Sequence, residues 1–99
     1  MKILGWQPLV KNTMRGLVDV ELELRLQIYE CIVHGPWVAL PSKVVIDKDG
    51  AVRRNLATGK IEYARVLKWR DKATGDKFST AVIRLLLARY PDALDGGKP

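Results

Sequence analysis

Period-two alternation is the clearest regularity in the chain. Val18, Val20, Leu22 and Leu24 alternate with Asp19, Glu21, Glu23 and Arg25, the spacing of a strand with one buried and one solvated face. The alternation runs on through Leu26 and Ile28 and then slips. Glu30 falls on the apolar phase, while Cys31 and Val33 fall on the other. A single strand over residues 18–33 would be about three times the usual ~5 to 6 residues, so the segment must bend or fold back on itself. No Gly, Pro or Asn inside it marks the place, and we put the break near residues 23–25.

The flanking segments extend this pattern into a fold. Residues 2–10 have strand composition, but Pro8 lacks a backbone donor, which places that strand at an edge or gives it a bulge. Asn12 and Thr13 predict a turn, and His34-Gly35-Pro36 predicts another that leads into the short apolar run Trp37-Val38-Ala39-Leu40. Pro41 ends that run. Val44-Val45-Ile46, the turn Asp47-Lys48-Asp49-Gly50 and the arm Ala51-Val52-Arg53 predict a hairpin. Asn55 and the cluster Ala57-Thr58-Gly59-Lys60 predict a further turn, after which Ile61, Tyr63 and residues 66–69 supply a last strand.

The period then changes. Asp76 is placed to cap a helix in which Phe78, Val82, Leu85 and Leu86 recur at helical spacing and face the sheet, with Lys77 and Arg84 solvated. Pro91 stops the helix after Tyr90. The expected architecture is α+β: a small antiparallel β-meander of about five strands with one C-terminal α-helix packed on the sheet. One domain covers residues 1–91, and residues 92–99, with Gly96-Gly97, read as a flexible tail.

Charge changes the picture. The chain of 99 residues carries a formal +6, yet Lys2, Lys11, Arg15 and Arg25 balance Asp19, Glu21, Glu23 and Glu30 before Trp37. All of the excess lies in the second half. Such asymmetry suits a polyanionic partner, with a merely solvated basic face as the competing reading. Cys31 is the single cysteine, so an internal disulfide is impossible, and one thiol with one histidine makes no zinc site. The start lacks a signal-peptide core and the apolar runs are short, so we expect a cytoplasmic protein that does not span a membrane.

The candidate nucleic-acid contacts are Lys43, Lys48, Arg53, Arg54 and Lys60, because neutralising a phosphate backbone takes several cations on one short ribbon. Strand alternation brings Lys43 and Arg53 together across the hairpin and sends Arg54 the other way. Tyr63 and Trp69 are candidates for base stacking, as is Trp37 to a lesser degree; core packing competes at each. Trp6 suits the core or a dimer interface, Cys31 a small buried hydrophobe, and His34 a hydrogen bond within its turn. Ser42-Lys43 is no nucleophile pair, since neighbouring strand residues face opposite ways. Gly59-Lys60 lacks the upstream glycine of a phosphate loop, and Asp47 and Asp49 suit a turn. No enzyme, cofactor or metal is expected.

The stretch Trp37-Val38-Ala39-Leu40-Pro41-Ser42-Lys43 resembles the aromatic-Val-Ala-apolar-Pro-Ser-Lys segment of the stage V sporulation protein G (SpoVG) family. Several other features occur in matching order over most of residues 1–90: Met1-Lys2-Ile3, the turn near Asn12-Thr13 and Arg15-Gly16, Ile32-Val33-His34, the Asp49-Gly50 turn and a terminal helix containing Ala81-Val82. Only the Pro-Ser-Lys stretch is specific. The resemblance implies a small sheet with a C-terminal helix, a homodimer formed by strand pairing, and a bacterial or phage regulator that binds DNA or RNA. It implicates Lys43 and, less directly, Arg53 and Arg54. Between residues 53 and 71 the chain departs from that pattern: it is longer, carries the extra turn and lacks the family's His-Pro step. Two alternatives remain open: a coactivator-like single-stranded-DNA-binding protein, and an interaction module that recruits an acidic protein.

Overall fold

The computed structural model describes residues 1–95. Four strands form an antiparallel meander in chain order: β1 (Lys2–Lys11), β2 (Met14–Glu21), β3 (Gln27–Val33) and β4 (Val38–Ala39). A separate two-stranded sheet pairs β5 (Ser42–Val44) with β6 (Tyr63–Arg65), and α1 (Lys72–Arg89) follows. The α+β class stands. The strands beyond Pro41 form a sheet of their own and add nothing to the meander.

The alternation along β2 does what its period implies, with Val18 and Val20 wholly buried. The fold-back falls at residues 22–26, where Leu22 N–H donates to Leu26 O at 2.8 Å and Arg25 N–H to Leu22 O at 2.9 Å, with Arg25 at φ 67°. Leu24 therefore sits at the tip, 93% exposed, and does not continue the buried face. The slip at Glu30 is a β-bulge. Val18 pairs with Cys31 and Val20 with Ile28, so Asp19 alone opposes Tyr29 and Glu30. Glu30 takes φ 59°, and its N–H donates to Asp19 Oδ1 at 2.8 Å. The extra residue turns Cys31 and Val33 back onto the core face, where both are fully buried.

β1 is an edge strand with register shifts between Ile3 and Gly5 and between Pro8 and Lys11, as Pro8 requires. β4 is the other edge, and the helix closes it. Val38 N–H donates to Ser79 Oγ at 3.0 Å, and the Ser79 hydroxyl donates to Val38 O at 3.4 Å. With its outward groups occupied, β4 has no place for a fifth strand, which is why the chain after Pro41 pairs elsewhere. Ser79→Ala would leave the buried Val38 N–H without an acceptor and should cost about 1–3 kcal/mol, read as a lower denaturant midpoint at unchanged m-value.

The helix starts earlier than its apolar spacing suggests. Asp71, not Asp76, is the N-cap, accepting from Thr74 N–H at 2.7 Å, and hydrogen bonding from the Thr74 side chain and then from this N–H lowers the Asp71 pKa. Asp76 instead pairs with Lys72 at 2.7 Å. Phe78, Val82 and Leu86 are buried as expected, while Ile83 takes the core-packing place expected of Leu85. Tyr90 is the C-cap. Residues 93–95 form a 3-10 turn with Ala93 8% exposed in the core, so the first part of the expected tail is ordered; residues 96–99 lie outside the described residues. Cys31 is a buried thiol whose pKa burial pushes up to about 11, which suits packing and not nucleophilic chemistry.

Candidate functional site

Among the described residues, nothing between Val38 and Phe78 is buried. Residues 42–65 are held by backbone bonding in place of a core. Val45 N–H donates to Glu62 O (3.0 Å), Glu62 N–H to Arg53 O (2.9 Å) and Arg53 N–H to Val45 O (2.9 Å), a closed ring of three bonds. Three arms leave this ring. One is the β5 and β6 pair; the second is the hairpin bridged by Ile46 and Val52; the third is the hairpin bridged by Arg54 and Ile61. Local chemistry makes both hairpin tips. Asp47 Oδ1 accepts from the N–H groups of Asp49 and Ala51, and Asn55 Oδ1 accepts from those of Ala57 and Thr58.

Pairing across the arms sorts the side chains onto two faces. Lys43 and Arg53 share one with Val45, Glu62 and Ala64. Arg54 and Arg65 share the other with Val44, Ile46, Val52, Ile61 and Tyr63. Arg53 is neutralised locally by Glu62 at 3.3 Å, an exposed pair of small energetic value. Arg54 donates to Gly59 O at 3.0 Å, which fixes the third arm's tip. Lys48 and Lys60 are exposed in the two hairpin tips, apart from Lys43. The ribbon thus brings Lys43 and Arg53 onto one surface and spreads the other candidates.

A larger concavity lies where the ribbon joins the body. Its volume is about 850 Å³, and its two walls are residues 37–42 and the chain from Arg65 into the first turns of α1. Trp37, Leu40, Pro41, Leu67 and Trp69 give it apolar surface, and Arg65, Lys68 and Arg70 give it charge. None of these three cations has an ion pair among the described residues. Trp69 is half-buried and tilted on Phe78 with ring centroids 4.8 Å apart, so its role is mainly to anchor this wall. Gly75 makes room for it, since a Cβ there would lie 3.1 Å from Trp69 Cδ1.

Trp37 is the more available aromatic. It is 52% exposed and stacks on His34 with centroids 4.1 Å apart and planes 16° from parallel. The turn holds both rings. His34 N–H donates to Trp37 O at 3.0 Å, Gly35 takes φ 113°, and Thr13 Oγ1 lies 3.0 Å from His34 Nδ1. Desolvation lowers the His34 pKa and favours the neutral ring against the indole. Tyr63 is 62% exposed on the apolar face of the ribbon. The sequence-based order, with Tyr63 and Trp69 ahead of Trp37, is therefore reversed for the two tryptophans, because exposure depends on the corner at Gly35 and on the helix beneath Trp69.

Among the described residues no cluster of three or more His, Cys, Asp or Glu could hold a metal ion, and no helix is long and apolar enough to cross a membrane. The chain matches no family model, no curated protein and no solved structure.

Proposed function

We propose that this protein is a non-catalytic, cytoplasmic, nucleic-acid-binding regulator, acting as a homodimer that presents two copies of the basic ribbon. The observation that carries the proposal is the charge of residues 43–70. Eight cations stand there against Asp47, Asp49 and Glu62, and among the described residues only Arg53 of the eight forms an ion pair. A core-free ribbon with that excess suits phosphate neutralisation. The resemblance of Trp37-Val38-Ala39-Leu40-Pro41-Ser42-Lys43 to the stage V sporulation protein G family favours the same reading and supplies the dimer.

The test is a gel-shift titration over rising salt with single-stranded DNA, duplex DNA and RNA, alongside light scattering for the dimer. Binding should weaken steeply, by about 10³-fold or more between 50 and 200 mM salt if some six phosphates are engaged. A flat salt response or no retention at low salt would sink the proposal. A second reading, a module that recruits an acidic protein, draws on the exposed side chains of Ile46 and Val52. It requires a co-purifying protein and no retention on nucleic acid at moderate salt.

A further inference from the structure

The groove and the apolar face of the ribbon are one continuous surface. Ser42 and Arg65 pair across β5 and β6 and also line the groove, and the next pair on the same face is Val44 with Tyr63. The surface therefore runs from Trp37 past Arg65 to Tyr63 and on to Arg54. Aromatic and cationic groups alternate along it. Duplex DNA hides the faces of its bases inside the stack and offers a phosphate surface only, whereas an unpaired strand offers both charge and flat apolar faces.

We propose that this surface is a binding track for single-stranded nucleic acid, with bases stacked on Trp37 and Tyr63 and phosphates on Arg65, Lys68 and Arg70. The assignment rests on the nucleic-acid reading above and deepens it by fixing strandedness and the stacking residues. Charge complementarity selects the occupant, since the rim cations lack ion-pair partners while Asp71 is occupied by Thr74 and Asp76 by Lys72. The His34 ring already holds one face of Trp37. A base on the other face would complete a stack whose orientation is set before binding, which lowers the ordering cost.

The test compares oligothymidylate, oligouridylate and a DNA duplex of equal length, with wild type, Trp37→Ala, Trp37→Phe and Tyr63→Ala. Wild type should prefer the single strands, with tryptophan emission quenched on binding. Trp37→Ala and Tyr63→Ala should each weaken single-strand binding about tenfold and duplex binding by less than about twofold. Trp37→Phe should recover most of the loss. Tyr63 is largely exposed, so its variant decides the matter should Trp37→Ala fail to fold. Unchanged single-strand affinity in the alanine variants, equal losses for single strand and duplex, or a wild-type preference for duplex would overturn the track while leaving nucleic-acid binding in place. Failure of all three probes to bind at low salt would remove the nucleic-acid reading itself, and the track with it.

Discussion

Gly16→Ala is expected to destabilise the protein by about 3 kcal/mol or more. Gly16 lies in β2, between Pro8 of β1 and Val33 of β3, on the same face as the buried Val18 and Val20. The Trp6 ring lies across it. A Cβ at this position would stand 2.5 Å from Gln7 O and press into the edge of the Trp6 ring. The ring has some freedom, but the carbonyl belongs to the paired strand and retreats only if β1 separates from β2. Gly50→Ala is the control. Gly50 has open space around a Cβ, but its φ of 79° gives the alanine a conformational cost of about 1–2 kcal/mol. Denaturant unfolding followed by tryptophan emission should rank Gly16→Ala well below Gly50→Ala. The reverse order would show that Trp6 does not seal the core over Gly16.

The parts of the fold that were legible in the chain are those governed by local periodicity. The alternation at Val18 and Val20 gave the buried face of β2, and the phase slip at Glu30 registered the bulge as a defect in the pattern. Its cause was not local. The Asp19 carboxylate holds the Glu30 N–H from the neighbouring strand, eleven residues away in sequence. The helix start was hidden for a similar reason. The apolar spacing begins at Phe78 and so pointed to Asp76 as the cap; a helix-interior glycine costs about 1 kcal/mol against alanine, and only the closeness of Trp69 explains why Gly75 belongs inside the helix. Likewise, the 3-10 turn at residues 93–95 is ordered by burial of Ala93 in the core, a tertiary effect that tail composition does not record.

For the candidate site, composition located the excess of cations but not their use. Arg53 is the member of the set with a carboxylate opposite it, and that depends on the ring of bonds joining Val45, Arg53 and Glu62, which aligns three chain segments at once. The second wall of the groove escaped the sequence reading as well. Residues 66–69 have strand composition, yet Val66, Leu67 and Lys68 are exposed and unpaired in any ladder, and the segment instead lies along residues 37–42. Its signal was present in the interleaving of Arg65, Lys68 and Arg70 with Leu67 and Trp69, a pattern suited to a wall with charge at its rim.

Replacing Lys43, Lys48 and Lys60 together with glutamine should lower affinity for duplex DNA roughly a hundredfold at 0.15 M salt and flatten its salt dependence. These three are the exposed ribbon lysines, and none has an ion pair among the described residues, so the substitutions break no structural contact. Each phosphate neutralised contributes about 0.9 to the slope of log K against log salt for a duplex. At 0.15 M that is worth about fivefold per contact, so three contacts compound to about a hundredfold, and the gap should close as salt approaches 1 M. Arg53→Gln is the informative comparison. Its guanidinium is already shared with Glu62 and so has less charge to offer a phosphate, and its effect on the slope should be smaller than that of any one of the free lysines. Gel shifts at four or more salt concentrations measure both quantities at once. A triple variant with the wild-type slope would mean that the ribbon lysines touch no phosphate, and the cations of the groove rim would then have to account for all of the binding.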